Sequence, residues 1–163
     1  MVILIIDKGR WFFMNSVVWF EMPFDESERA QKFYQDVFGW QIMKVPEMEY
    51  FLATTTQTDP QTMQPKNPGA INGGMSKRDS TTAQHPLVVI GVDSIDVHVK
   101  KIEGSGGKII MSKTDIGEFG FYARVADTEG NEIGIWEKNN SCCFSFLSFF
   151  SYYIIPVNLK YPS

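Results

Sequence analysis

The chain has 163 residues, of which 44% are hydrophobic and 21% charged, and its formal net charge is −4. This length predicts about one domain with a core of its own, and the composition excludes a wholly disordered chain. A nucleic-acid-binding surface is not expected either, because such a surface needs clustered basic side chains, and no run of Lys and Arg here exceeds two residues.

Residues 1–14 precede the first clear strand and are expected to be an N-terminal extension. They contain a short apolar run followed by charged residues, without the basic start and long apolar stretch of a secretory signal. We therefore expect no secretory leader.

The first half of the chain predicts a strand, a helix and three further strands. Residues 17–22 are rich in β-branched and aromatic side chains, as in a buried strand. Asp25, with Glu28 three residues later, predicts a helix start with a capping box, and Gly39 predicts its end. The helix would carry an apolar stripe at Ala30, Phe33, Tyr34, Val37 and Phe38. Further strands are predicted at 41–45, 50–55 and, after a polar loop, 70–76.

The second half repeats this order. Residues 87–92 predict a strand, Asp93 a helix cap, and Ile95, Val99 and Ile102 one face of a helix. Three strands follow at 108–112, 119–126 and 132–137.

Two βαβββ modules of matched spacing, residues 15–76 and 86–138, are therefore predicted to form one domain over 15–138. The fold class is α+β, with the helices on the outside of a curved, eight-stranded mixed sheet that encloses a cavity.

Residues 139–163 are expected to form an aromatic and Ser-rich extension outside this core. The stretch 141–159 carries no charge and approaches the length of a membrane span. Four serines, Pro156 and Asn158 interrupt it, and no basic cluster fixes a topology, so a membrane association is not expected, with a tail anchor as the alternative. The two cysteines, Cys142 and Cys143, are adjacent and cannot cross-link distant loops, which favours a reducing, cytoplasmic location.

Two segments resemble a known family. VVWFEMPFDESERAQKFYQDVFGWQIMKV resembles the opening module of the vicinal oxygen chelate superfamily, which includes glyoxalase I, bleomycin-resistance proteins and extradiol dioxygenases. LVVIGVDSIDVHVKKIEGSGGKII, followed by GEFGFYARVADTEGNEIGIWE, resembles the second module. The resemblance implies the same fold, and it implies a homodimer because the family commonly pairs its modules.

The resemblance also identifies where a metal would bind. Metal-using members hold a divalent ion with His, Gln or Glu side chains on the first and last strands of each module. The matching positions here are Trp19, Leu87 and Gly134, none of which has a donor atom. We therefore expect no metal or other cofactor at that position. His85 and Glu132, each two residues from a matching position, are weak candidates for a displaced site; we interpret both as solvated rim residues.

Glu21 is the one candidate catalytic residue. It shares a strand face with Trp19, where a lone carboxylate is costly to bury. It would act as a general base with a raised pKa, or anchor a ligand, or be a structural carboxylate satisfied by backbone donors or Arg124.

Aromatic side chains in the inward register predict a cavity wall that favours a flat or apolar small molecule. Plain core packing of these side chains is the alternative interpretation. Tyr122 is an alternative to Phe121 in this wall. The expected ligand-binding residues are Trp19, Glu21, Leu87, Phe121 and Trp136.

The sequence thus predicts a protein of this superfamily that binds a small organic molecule in an aromatic cavity, without the usual metal. One alternative is an enzyme: a divalent-metal-dependent lyase of the lactoylglutathione lyase type, a dioxygenase-like protein with displaced ligands, or a metal-free catalyst built on Glu21. The other alternative is a dimeric structural module. Neither a P-loop nor a nucleophile elbow occurs in the sequence.

Overall fold

A computed structural model describes residues 15–46, 48–59, 65–79 and 82–139. The predicted extension 1–14 and, apart from Asn139, the predicted extension 139–163 lie outside the described residues, as does the tail-anchor alternative. Neither α-helix of the described ranges has the length and hydrophobicity of a membrane-spanning segment.

The described residues form eight strands, two α-helices and one short 3-10 helix at Gly117–Phe119. The elements are β1 (Val17–Phe24), α1 (Ser27–Phe38), β2 (Gln41–Lys44), β3 (Tyr50–Thr54), β4 (Gly73–Lys77), β5 (Leu87–Val92), α2 (Ile95–Gly104), β6 (Lys108–Asp115), β7 (Phe121–Ala126) and β8 (Glu132–Glu137).

All eight strands belong to one mixed sheet of order β2-β3-β4-β1-β5-β8-β7-β6, which is open rather than closed into a barrel. The pairs β1–β4 and β5–β8 are parallel, and the other neighbouring pairs are antiparallel. The first strands of the two modules, β1 and β5, pair at the centre. The predicted α+β fold of two βαβββ modules is confirmed.

Each helix packs on the sheet of its own module, and both helices lie on the same side of the eight-stranded sheet. Under α1 lies a buried cluster that includes Phe24, Phe51 and Met75, with Ala30 and Tyr34 of the helix packed against it. Under α2 lies a second cluster, in which Ile95 of the helix meets residues of β5, β7 and β8. Because strand side chains alternate between faces, the residues between these core positions point to the other side of the sheet. We call that side the helix-free face.

Both predicted N-caps are wrong. Asp25 does not cap α1; its carboxylate is 2.6 Å from the Arg78 guanidinium, and Glu26 takes the cap position without a side-chain hydrogen bond. At α2 the cap is Ser94, whose hydroxyl accepts from the Val97 N–H at 3.4 Å. The predicted end of α1 at Gly39 is confirmed, with φ at 68°.

The apolar stripe of α1 is only partly buried. Ala30 and Tyr34 pack on the sheet, whereas Phe33, Val37 and Phe38 are 52, 57 and 57% exposed. The stripe predicted from periodicity is thus wider than the line along which the helix contacts its module.

Candidate ligand site

The centre of the helix-free face is built from strands β4, β1, β5 and β8. Glu21 of β1 lies beside Gly74 of the parallel strand β4 and opposite Leu87 of β5. Val89 of β5 lies beside Gly134 of β8. The two glycines therefore occupy equivalent positions on the last strands of the two modules.

A tyrosine lies across each of these glycines. Tyr50 of β3 pairs with Ser76, two residues beyond Gly74, and Tyr122 of β7 pairs with Trp136, two residues beyond Gly134. A Cβ atom at Gly74 would overlap the Tyr50 phenol, and one at Gly134 would lie 2.8 Å from the Tyr122 hydroxyl. The glycines are what allow both phenol rings to lie against the sheet.

The carboxylate of Glu21 lies between these two tyrosines. Burial raises its pKa above the usual value, because the charged form loses its hydration. The positive charge of Arg124 opposes that rise in pKa, and the hydroxyls of Tyr122 and Tyr50 approach closely enough to oppose it as well. Arg124 and the two tyrosines therefore compensate only part of the hydration that the Glu21 carboxylate loses on burial.

The two tyrosine hydroxyls differ in their partners. The Tyr50 hydroxyl accepts a hydrogen bond of 3.1 Å from the Trp19 indole N–H. The Tyr122 hydroxyl is fully buried and, although it influences the pKa of Glu21, makes no hydrogen bond of acceptable geometry with any described residue. Burial raises the pKa of both phenols, with the Glu21 charge adding to the rise, so both stay protonated.

Arg124 carries the positive charge of this face. It is 7% exposed, and its guanidinium donates to the Glu132 carboxylate at 3.1 Å. Together with its effect on Glu21, this pairing makes Arg124 the counter-charge of two carboxylates. Glu132 is consequently engaged by an arginine on the helix-free face.

The two candidates for a displaced metal site, His85 and Glu132, do not form such a site in the described structure. Glu132 pairs with Arg124, and His85 is exposed. The parts of the chain that the structure describes contain no group of three or more His, Cys, Asp or Glu side chains suited to a metal ion.

An apolar and aromatic wall surrounds the polar group. The described residues of this wall are Ala83, Leu87 and Val89, which are buried, with Trp19, Tyr122 and Trp136 packed against them. The indole N–H of Trp136 donates to the Phe119 carbonyl at 2.6 Å, which fixes the ring.

Four of the five predicted ligand-binding residues lie on strand positions of the helix-free face: Trp19, Glu21, Leu87 and Trp136. Phe121 does not, since it packs with the cluster under α2, where the Lys113 ammonium lies 4.5 Å from its ring centroid. The strand begins at Phe121, and its alternation places Tyr122 and Arg124 on the helix-free face instead.

Tyr50 and Gly74 are not among the site residues predicted from the sequence, and Arg124 is predicted only as a structural partner of Glu21. The alternation within Tyr50–Thr54, in which Phe51 and Ala53 are buried, was a usable signal that Tyr50 points away from the helix. The proximity of Tyr50 to Glu21 depends on register across β3, β4 and β1, which no single strand encodes.

Comparisons with known proteins agree with this architecture. A family model described as "Bleomycin resistance protein-like N-terminal" matches residues 16–55. A glyoxylase-like domain-containing protein of Didymella fabae is 30% identical over 118 residues, which cover 68% of this chain and 84% of that protein. The putative glyoxylase CFP32 of Mycobacterium tuberculosis is 28% identical over 127 residues, which cover 74% of this chain and 45% of that protein.

A solved structure shows the same fold. It is a glyoxalase/bleomycin resistance protein/dioxygenase superfamily member from Vibrio splendidus, with a TM-score of 0.52 at 13% identity, and the match covers 77% of this chain and 100% of that one. The paired βαβββ modules thus define a glyoxalase-like domain. The chain belongs to the glyoxalase/bleomycin resistance/dioxygenase superfamily, also called the vicinal oxygen chelate superfamily, and it spans about half the length of the mycobacterial relative.

Proposed function

We propose that this domain binds a small, flat organic molecule on the helix-free face, without a metal at the superfamily's usual position. The observation that carries the proposal is the grouping of Glu21, Tyr122 and Arg124 beside the rings of Trp19 and Trp136. Apolar walls with a few converging polar groups are the usual composition of small-molecule sites. Flat rings gain most from such walls because aromatic faces stack on one another.

The donor atoms of the site support binding without a metal. Trp19, Leu87 and Gly134 offer no ligand atoms at the positions that the superfamily uses, and Gly74 offers none on the remaining strand. The nearby carboxylates, Glu21 and Glu132, already interact with Arg124. A divalent ion there would add positive charge beside a buried guanidinium, which is unfavourable.

Daunorubicin is a suitable first probe, because it is a flat, coloured, water-soluble molecule with carbonyl oxygens, hydroxyls and a cationic amine. We expect saturable binding to the purified protein, seen as quenching of daunorubicin fluorescence, with the same affinity before and after treatment with EDTA. Binding that disappears with EDTA and returns with Zn²⁺, Ni²⁺, Mn²⁺ or Fe²⁺ would favour the metal-dependent lyase or dioxygenase-like alternative. Absence of binding under all these conditions would favour the structural module.

Glu21→Gln tests the role proposed for the carboxylate. The variant keeps the shape and removes the charge, so we expect the binding free energy of the cationic probe 9-aminoacridine to weaken by about 1.5–3 kcal/mol, the usual contribution of a hydrogen bond to a charged group. Titration of 9-aminoacridine fluorescence with wild type and variant measures this change.

The same variant has an expected pH profile. Because the pKa of Glu21 is raised in the folded protein, its ionisation costs stability as the pH rises from the unfolded-state pKa through the folded-state value. Glu21→Gln removes that cost, so it should melt at or above the wild-type temperature at pH 7, with a smaller difference near pH 4. A lower melting temperature at pH 7 together with unchanged binding would instead make Glu21 a structural residue.

A metal-free catalyst is the second candidate function, and the raised pKa of Glu21 favours it. A carboxyl whose pKa lies nearer to neutrality exchanges protons with a bound substrate more effectively than an exposed one. Glu21 would then take a proton from the bound molecule, and Arg124 would stabilise the negative charge that develops. Slow exchange of deuterium into a bound ketone, lost in Glu21→Gln, would support this role.

The homodimer and the cytoplasmic location are further proposals. Both rest on the resemblance and on the composition rather than on a contact within the described residues. Light scattering after size-exclusion chromatography measures the oligomeric state directly, and a monomer at micromolar concentration would contradict the dimer.

A further inference from the structure

Tyr50 and Tyr122 hold equivalent positions in the two modules but differ in their hydrogen bonds. Each ring lies across a glycine of the last strand of its module, and each hydroxyl faces Glu21. Tyr50 is held in place by the indole of Trp19 at 3.1 Å. Tyr122 has no equivalent support, because the residue that matches Trp19 in the second module is Leu87, which has no donor.

The unsatisfied hydroxyl of Tyr122 has an energetic consequence. A buried hydroxyl without a hydrogen bond retains most of its desolvation penalty, and such groups in a folded protein call for an explanation. Turning the Tyr122 side chain away from Gly134 breaks no hydrogen bond of acceptable geometry, and its hydroxyl gives up only its approach to Glu21. The same movement of Tyr50 would break the bond from Trp19. Tyr122 is therefore the tyrosine that can be redirected at lower cost.

The surroundings of Tyr122 determine what it would bind. Its hydroxyl stays protonated, since burial raises its pKa, so it is available as a donor. Arg124, two residues further along the same face of β7, adds positive potential, whereas Glu21 opposes a full negative charge nearby. A carbonyl oxygen, which accepts hydrogen bonds and carries only a partial negative charge, fits these three neighbours best.

We propose that Tyr122 is a ligand-contacting residue, whose hydroxyl turns from Gly134 to donate to a carbonyl oxygen of a flat ligand. This inference rests on the proposed function and names the class of ligand, a flat carbonyl compound such as a quinone. Tyr50 remains in place across Gly74, held by Trp19.

Two flat tricyclic probes test the proposal. Anthraquinone-2-sulfonate has ring carbonyls and no hydrogen-bond donor, whereas 9-aminoacridine is a cation that presents only donors at neutral pH. Tyr122→Phe removes the hydroxyl and keeps the ring. We expect this variant to bind anthraquinone-2-sulfonate about three- to tenfold more weakly, the contribution of one hydrogen bond, and 9-aminoacridine with unchanged affinity.

Tyr50→Phe is the matched control. It leaves the Trp19 indole without its acceptor, so we expect a lower melting temperature and no change in the ratio of the two affinities. Tyr122→Phe is expected to melt at the wild-type temperature or above it, because the lost hydroxyl had no hydrogen bond.

The outcomes separate this inference from the proposed function. If neither probe binds the wild-type protein, the proposed function fails and the inference fails with it. If a probe binds but Tyr122→Phe leaves the affinity for anthraquinone-2-sulfonate unchanged, the proposed function stands and the inference is wrong. A lowered melting temperature of Tyr122→Phe would show that the hydroxyl serves Glu21 as a structural partner, which also overturns the inference.

Discussion

Arg124→Met is expected to lower the free energy of unfolding by about 3–5 kcal/mol at neutral pH, the usual cost of removing one partner from a buried charge group. Arg124 is 7% exposed, donates to Glu132 at 3.1 Å and lowers the pKa of Glu21. Methionine keeps part of the side-chain volume, so most of the loss would come from the uncompensated carboxylates. Urea unfolding followed by circular dichroism measures it.

The loss in Arg124→Met has an expected dependence on pH. Without the guanidinium, the pKa of Glu21 rises further above its usual value, and protonation of the carboxyl then relieves the buried charge. The variant should therefore be closest to the wild type in acid and fall further below it as the pH rises. A loss that is equal at pH 5 and pH 8 would indicate that Arg124 acts through packing alone.

Two further variants serve as controls. The double variant Arg124→Met with Glu21→Gln should recover part of the lost stability, because the carboxylate that needed the guanidinium is gone. Lys32→Met removes an ion pair with Asp36 in which both side chains are exposed, and it should change stability little. A recovery no larger than the gain from Glu21→Gln alone would contradict a direct interaction between Arg124 and Glu21.

The fold could be predicted because its signals are local and repeated. Leu87–Val92 and Glu132–Glu137 begin and end where their apolar runs predicted, and the same βαβββ order in both halves restricts the topology to few choices. The helix caps could not be predicted equally well. Asp25 has the chemistry of a cap but forms an ion pair with Arg78, 53 positions later in the chain, which local patterns do not reveal.

The candidate site, like the fold, could be predicted only in part from the sequence. Trp19 and Glu21 could be placed together because they lie two apart on one strand. The prediction for Phe121 is wrong because the sequence of β7 fits either alternation, and only the burial of Ala123 and Val125 decides between them. The contact between Tyr50 and the Gly74 position depends on the register in which β3 pairs with β4. The pattern of a single strand does not encode that register, so the contact is visible only in the structure.

Gly74→Ala is expected to destabilise the protein by about 2–4 kcal/mol, because overpacking a close contact costs about 1–3 kcal/mol and displacement of Tyr50 also costs its hydrogen bond, about 1 kcal/mol. The new methyl group would overlap the Tyr50 phenol, so the ring must leave its position against the sheet. The Trp19 indole would then lose its acceptor. Thermal and urea unfolding of the variant measure the effect.

Two comparisons make the Gly74→Ala prediction specific to Tyr50. Gly104→Ala is the matched control, since nothing lies within 4 Å of a Cβ atom at the end of α2, and it should be neutral or slightly stabilising because alanine favours helix over glycine. The double variant Tyr50→Ala with Gly74→Ala should be less destabilised than the sum of the two single variants, because the truncated side chain leaves room for the methyl group. Strict additivity would mean that the ring does not lie across Gly74, and the arrangement of the phenols around Glu21 would then lose its basis.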